Sequence, residues 1–313
     1  MQKPRVFITR RLALAPQRVL GSGIEIDQND EEGGLARAEL LRRVREASAL
    51  LPILADRVDT ELLDAAPRLR VVANHAVGYD NIDVPACTAR GVWVTNTPDV
   101  LTDATADLTW ALILALARRL REGERMVRAG AYRGWAPTML LGRDLTGHTL
   151  GILGYGRIGR AVARRAEGFG MRVLFTARGG GVPFDELLSE SDVLSIHCPL
   201  TAQTRHLFGP AELLRMKKGA VLVNTARGPI VDEAALAAAL AAGHLGGAAL
   251  DVFENEPAVD PGLIGRDDVV LLPHLGSATQ ETREKMATIA LENVELVLRG
   301  ERPRTPVNEV QKR

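Results

Sequence analysis

The stretch Leu150–Arg160, LGILGYGRIGR, constrains the fold more than any other in the chain. Apolar Leu150, Ile152 and Leu153 approach a turn containing Gly154, Gly156 and Gly159, and a helical run opens near Arg157. Strand, G-x-G-x-x-G turn and helix in that order make the phosphate-binding unit of a dinucleotide fold. The first glycine permits the tight turn, the second lets a pyrophosphate approach the backbone, and the third lets helix and strand pack closely. The helix N-terminus then faces the phosphates with unpaired N–H groups. Glycine clusters also make ordinary turns, so context decides. Here a strand precedes, the run from Ala161 is helical, and Met171 to Thr176 reads as a second strand. That context makes Gly154, Gly156 and Gly159 cofactor-binding residues.

At 313 residues the chain is long for one domain, and two are expected. The formal net charge is zero, which gives no electrostatic reason to expect nucleic acid or a membrane surface as partner. No basic-then-apolar leader and no apolar run of membrane-spanning length is read, so a cytoplasmic setting is expected. Two cysteines, Cys87 and Cys198, are too few for a disulfide framework or a zinc cluster, and no metal is expected.

Strands are expected at Arg5–Thr9, Leu69–Ala73 and Val92–Thr95, with a short apolar run at Ala49–Leu54 and helices over Glu39–Ala47 and Thr60–Ala66. Strands alternating with helices point to a parallel α/β domain. From Thr102 a long helix is expected to about Gly123, with Leu108, Leu112 and Leu116 at i, i+4 spacing. After the glycine-rich unit come Val193–His197, Ala220–Asn224, Gly247–Asp251 and Val269–Pro273, each an apolar segment ending in a polar or special residue. A final amphipathic helix, Glu281–Leu298, can fold back on the first domain. The expected architecture is α/β: two Rossmann-like doubly wound parallel-sheet domains with a cleft between them. Residues 1–99 with 282–313 form a substrate-binding domain and 100–281 the dinucleotide-binding domain.

Ligands bind beyond the carboxyl ends of strands in such sheets, and His197, Thr225–Arg227, Asp251 and His274 fall there. Hydride transfer to a ketone needs a proton donor for the carbonyl oxygen and a cation for the substrate's charge. His148, His206 and His244 sit in loops or helix ends, where a solvated surface role is usual. His75 and His197 end strands. His274 follows Pro273 at a strand end, and Glu256, in DVFENEP, follows another. A carboxylate beside an imidazole orients the ring and favours its protonated form, which suits a general acid. With 34 arginines in the chain, residue type does not single out Arg227. Its place does: it shares a sheet edge with His274 and Glu256, and a guanidinium recognises a carboxylate through two parallel hydrogen bonds.

Seven ordered segments now carry a resemblance. They are VGYDNID from Val77, NTPDVLTDATADL from Asn96, LGILGYGRIGR, HCPLT from His197, NTARGPIVDEAAL from Asn224, ALDVFENEP from Ala249 and LLPHLGS from Leu271. From about Val6 to Val307 the chain resembles the D-isomer-specific 2-hydroxyacid dehydrogenases, and within them the glyoxylate/hydroxypyruvate reductase branch. The resemblance implies reduction of a small 2-keto acid to the D-2-hydroxy acid. It implies Arg227 on the substrate carboxylate and ketone oxygen, Glu256 and His274 as the acid/base pair, and Val77 and Gly78 as backbone donors to the carboxylate. Asp251 would hold the nicotinamide carboxamide with Thr105 beside the ring. Further cofactor contacts are implied at Arg157, Ile158, Cys198, Pro199 and Thr204, and at Thr225, Ala226, His274 and Gly276. A homodimer through residues 102–140 is also implied, with Trp135 either reaching the partner's pocket or simply packing at the interface or in the core.

NAD readers place an acid at the end of the second strand. Here Ala177 stands there and Arg178 follows, so NADP is expected over NAD, with NAD still usable. Only Gly179–Pro183 separates Arg178 from the next helix, shorter than the family pattern. Two other activities remain open at this stage: another D-2-hydroxyacid dehydrogenase such as phosphoglycerate dehydrogenase, and a dinucleotide-sensing protein like the corepressors of the superfamily.

Overall fold

The computed structural model describes residues 3–31 and 33–310. It divides into two compact units, one made of residues up to Leu101 together with those from Ala278 onward, the other of Thr102–Ser277.

The first unit holds a five-stranded parallel sheet: β1 (Arg5–Ile8), β2 (Glu25–Gln28), β3 (Ala49–Leu51), β4 (Val71–Ala73) and β5 (Trp93–Thr95), in the order β2-β1-β3-β4-β5. Alternation along β1 sorts its side chains between two cores. Phe7 joins Val44 of α1 (Arg37–Val44), Leu62 of α2 (Thr60–Ala65) and Cys87 of α3 (Val84–Ala89). Val6 and Ile8 point the other way and join Ala290, Leu291 and Val294 of the C-terminal helix Gln280–Leu298. Helices cover both faces, as a parallel sheet requires. β2 and α3 were not expected from the sequence. β2 is a charged edge strand whose residues never become fully buried, so it lacks an apolar pattern.

The second unit opens with α4 (Thr102–Ala117) and α5 (Leu120–Arg128). One helix running to Gly123 was expected; the structure corrects this. Arg119 is left-handed at φ 51°, the Ala117 carbonyl accepts from Arg143 N–H, and the Arg119 guanidinium grips Glu122 with two hydrogen bonds. Arginine is a good helix former, so its sequence carries no stop signal here.

Next come β6 (Thr149–Leu153), α6 (Arg157–Ala166), β7 (Arg172–Ala177) and β8 (Gly180–Gly181). They are followed by α7 (Phe184–Glu190), β9 (Val193–Ile196), α8 (Pro210–Arg215) and β10 (Val221–Asn224). The unit closes with α9 (Glu233–Ala241), β11 (Gly247–Leu250) and β12 (Val269–Leu271). The seven strands run β12-β11-β10-β9-β6-β7-β8, all parallel except β8, which pairs antiparallel with β7. The short Gly179–Pro183 segment is therefore a hairpin return rather than a plain loop. β6, β9 and β11 are buried along their whole length, and Leu222 and Val223 of β10 feed opposite cores. Strand order reverses between β6 and β9, and open α/β sheets bind ligands at such a switch point. Among the described residues no helix is long and apolar enough to cross a membrane.

Candidate active site

The glycine-rich loop leaves β6 at that switch point. Gly154 has φ 93°, and a Cβ there would lie 2.6 Å from the Cys198 nitrogen and from the His197 carbonyl carbon. No L-residue with a side chain fits that approach to the β9 loop. A Cβ on Gly159 would sit 2.2 Å from the Gly154 oxygen, so the third glycine closes helix onto loop. Gly156 differs: nothing lies within 4 Å of its added Cβ. Protein packing does not demand glycine there, whereas a pyrophosphate lying against the backbone does. Gly156 also caps α6 without any side-chain acceptor for the first-turn N–H groups. The loop thus fits a dinucleotide. Arg157 is exposed and Ile158 half-buried on the first turn. Cys198, Pro199 and Thr204 lie in the loop after β9, where Thr204 Oγ1 donates to the Pro199 carbonyl at 2.8 Å. Arg178 is exposed, at the tip of the β7–β8 hairpin.

Beyond β10, β11 and β12, three loops carry Arg227, Glu256 and His274: Glu256 and His274 meet, the Arg227 charge is felt at Glu256, and Arg227 Nη1 donates to the Ala226 carbonyl at 2.8 Å. Asn224 braces the first loop by donating to the Arg227 carbonyl at 2.9 Å and accepting from Ala226 N–H at 3.0 Å. A Cβ on Gly228 would lie 1.9 Å from the Phe253 oxygen, so only glycine lets this loop press against Phe253–Glu254. Glu256 Oε1 accepts from Phe253 N–H at 3.1 Å, and Oε2 lies 3.0 Å from His274 Nδ1. A carboxylate only accepts, so Nδ1 carries the proton in this pair. Burial acts to raise the Glu256 carboxyl. The hydrogen bond and charge of His274, the Phe253 N–H and the Arg227 charge outweigh it and hold Glu256 below the usual carboxylate range.

His274 itself is left-handed at φ 56°, a conformation that costs a non-glycine residue energy and needs support. Asp251 supplies the support. Its carbonyl accepts from His274 N–H at 2.9 Å, and its two carboxylate oxygens accept from Leu275 and Gly276 N–H at 2.6 and 2.8 Å. Burial raises the Asp251 carboxyl, those N–H groups and His274 oppose the rise, and Glu256 adds to it. Thr105 Oγ1 donates to the Gly276 carbonyl at 3.0 Å, and Thr225 Oγ1 pairs with Thr109 Oγ1 at 3.1 Å. Sequence reasoning missed Glu233. It is buried, and its two oxygens accept from Glu254 and Asp260 N–H at 2.5 and 2.9 Å, fixing both ends of the loop that carries Glu256.

Residues 110–276 match the family model described as D-isomer specific 2-hydroxyacid dehydrogenase, NAD binding domain. The chain belongs to the D-isomer-specific 2-hydroxyacid dehydrogenase family. The dehydrogenase is 47% identical to the glyoxylate reductase of Thermococcus onnurineus strain NA1, an alignment covering 98% of this chain and 96% of the relative. With the glyoxylate reductase of Aeropyrum pernix the identity is 49% over 98% and 97% of the two chains. Among solved structures, a Thermus thermophilus protein superposes with TM-score 0.92 at 47% identity, covering 97% of this chain and all of that one. The Sinorhizobium meliloti NADPH-dependent glyoxylate/hydroxypyruvate reductase, solved with NADP and malonate, gives 0.85 at 35% identity over 99% of each chain. The dehydrogenase is accordingly an oxidoreductase that uses a nicotinamide dinucleotide.

Two further histidines end strands of the dehydrogenase, and neither can act as an acid near neutral pH. Burial pushes the His197 ring down to about 3. Burial and then the Arg283 charge push His75 down to about 4, against a backbone hydrogen bond that favours the charged ring. His197 Nδ1 and His75 Nε2 are buried without a partner among the described residues, while His197 Nε2 lies 2.8 Å from Ser195 Oγ. In the unfolded chain both rings take up protons near the ordinary value of about 6.5. The unfolded state therefore binds more protons below that pH, and folding stability falls on acidification. The expected slope approaches ~1.4 kcal/mol per pH unit for His197 between about pH 6 and pH 4, and for His75 it falls to about half of that as pH reaches 4. Denaturant melts at both ends of that interval should find a smaller loss in His197→Asn than in wild type; equal losses would contradict this account.

Proposed function

We propose that the dehydrogenase reduces glyoxylate or hydroxypyruvate to glycolate or D-glycerate, with NADPH as preferred reductant. The observation that carries this reading is the hydrogen-bonded Glu256–His274 pair sharing one group of loops with Arg227. Bound dihydronicotinamide supplies the hydride. His274, held through Nδ1 by Glu256, delivers the proton from Nε2 to the carbonyl oxygen. Arg227 binds the substrate carboxylate and carbonyl oxygen through its two-pronged donor face. Val77 and Gly78, by the resemblance, offer backbone N–H groups to a substrate carboxylate. Asp251 keeps spare lone pairs beyond those used by Leu275 and Gly276, enough to accept from the nicotinamide carboxamide. Thr105, bonded to Gly276, lies beside that ring.

Preference for NADPH rests on the β7 end, where Ala177 removes the acid that would repel a 2′-phosphate and exposed Arg178 adds a cation. Residues 1–99 with 282–313 serve the substrate and 100–281 the dinucleotide. We also read the 102–140 region as the homodimer surface. Val127 is 64% exposed and Trp135 78%, so Trp135 is not a core residue, and Leu141, 64% exposed, lines a groove of about 430 Å³ with Ile113, Leu116 and Leu145. Cys87 and Cys198 are both free thiols, as a reducing cytoplasm would leave them.

The direct test is loss of NADPH and of NADH absorbance with glyoxylate, hydroxypyruvate and a panel of larger 2-keto acids. Turnover of the two small acids, with kcat/KM higher for NADPH than for NADH, is expected. Equal use of both cofactors would remove the preference. No turnover with any acid would favour a dinucleotide-sensing role instead.

A further inference from the structure

In the first unit the chain leaves β4 and turns through Ala76–Tyr79. Three consecutive carbonyls of this turn are taken by donors from the ends of β4 and β5. Thr97 N–H donates to Ala76 at 2.9 Å, Asn96 Nδ2 to Val77 at 2.8 Å, and Asn74 Nδ2 to Gly78 at 2.8 Å. In a trans peptide the N–H points opposite to the carbonyl before it. The N–H groups of Val77, Gly78 and Tyr79 therefore each face away from the donor holding the preceding carbonyl. None of the three has an acceptor among the described residues. Successive backbone N–H groups left without acceptors in a turn can together hold an anion.

We infer that Asn74 and Asn96 are positioning residues that hold this turn open to the substrate carboxylate, with Tyr79 N–H as a third donor. The inference rests on the 2-keto-acid reading above. Asn74 is fully buried, and its Nδ2 also lies 3.2 Å from Asn81 Oδ1. Asn81 in turn donates to the Ile53 and Asp56 carbonyls at 3.1 and 3.0 Å. The Asp56 carboxylate accepts from Ile53 N–H and from Thr9 Oγ1. The amide chain thus ties the turn to the loops after β3 and β1. An amide is required at position 74 because the group must donate to one carbonyl while touching another amide; an ionised carboxylate would set oxygen against oxygen.

The test compares full-length wild type, Asn74→Leu and Asn74→Asp. Leucine has no donor. In Asn74→Leu the KM for glyoxylate and the inhibition constant of oxamate, a carboxylate that cannot be reduced, should both rise about tenfold or more. Its kcat should stay within about threefold and its KM for NADPH should not move, since the lost contact serves substrate alone. Aspartate donates only when protonated, so the KM of Asn74→Asp should fall back toward wild type as pH is lowered from about 8 to about 5. Wild type that turns over neither glyoxylate nor hydroxypyruvate would defeat the functional reading, and this inference with it. Normal wild-type turnover with unchanged KM and oxamate inhibition in a folded Asn74→Leu overturns the inference alone. If Asn74→Leu does not fold, a KM in Asn74→Asp that tracks wild type across the whole pH range overturns it.

Discussion

Replacing His274 with alanine is expected to lower kcat for glyoxylate by about 10³-fold while leaving the affinity for NADPH nearly intact. The size follows from removing a positioned general acid, an effect of ~10²–10⁴ in rate. The selectivity follows from geometry. The ring meets Glu256 through Nδ1, whereas the glycine loop that fits the dinucleotide is shaped by Gly154 and Gly159 and does not depend on the imidazole. The backbone turn around His274 depends on Asp251 and on main-chain N–H groups, so alanine leaves those bonds in place. Stopped-flow turnover and fluorescence titration with NADPH check the two halves separately. Turnover within about threefold of wild type would remove His274 from the mechanism. Glu256→Gln provides the companion measurement. Because Glu256 is held below the usual carboxylate range, it stays ionised through neutral pH and remains an acceptor for His274 Nδ1. Glutamine withdraws that charge and weakens the bond that orients the ring, so kcat for glyoxylate should fall while the affinity for NADPH holds. The same depression bears on stability. The native pairing of Glu256 stabilises the fold above the ordinary carboxylate range and is lost as pH falls through its depressed value.

The parts of this site that could be read beforehand are those that chain geometry forces on particular residue types. Gly154 and Gly159 had to be glycine because their Cβ positions are occupied, and the strand and helix on either side made the pattern specific. Strand-end residues such as His274 and Arg227 were legible because apolar runs mark where strands stop. Glu233 was not: it sits at the start of an alanine-rich helix, where an acidic residue is ordinary, and only the fold brings the Glu254 and Asp260 N–H groups to it. Asn74 and Asn96 escaped for the same reason, since asparagine after a strand usually signals a turn. Val77 and Gly78 came from resemblance alone, because a backbone donor leaves no trace in side-chain chemistry. The break at Arg119 and the hairpin at β8 were missed because tertiary contacts, from Arg143 in one case and β7 in the other, override weak local preference.

Arg227→Ala should reduce kcat/KM for glyoxylate by about 10³-fold or more, through a higher KM and a lower kcat together. Two charge-assisted hydrogen bonds would be lost from the bound acid, and one of the acceptors, the carbonyl oxygen, gains charge as the hydride arrives. An interaction that strengthens along the reaction is felt in both constants, whereas a purely binding contact raises KM alone. Lysine at this position keeps the charge and loses the planar fork, so Arg227→Lys should retain less than about a tenth of wild-type kcat/KM. The surroundings favour that outcome. Asn224 fixes the main chain on both sides of Ala226, and Gly228 locks the loop against Phe253, leaving a flexible ammonium little freedom to find the guanidinium's two positions. Free guanidinium added to Arg227→Ala should restore part of the lost rate at millimolar concentration, and should do nothing for His274→Ala. Steady-state kinetics with both variants, with and without the added cation, decide the matter: an unchanged kcat/KM in Arg227→Ala would mean that the substrate's charge is met elsewhere.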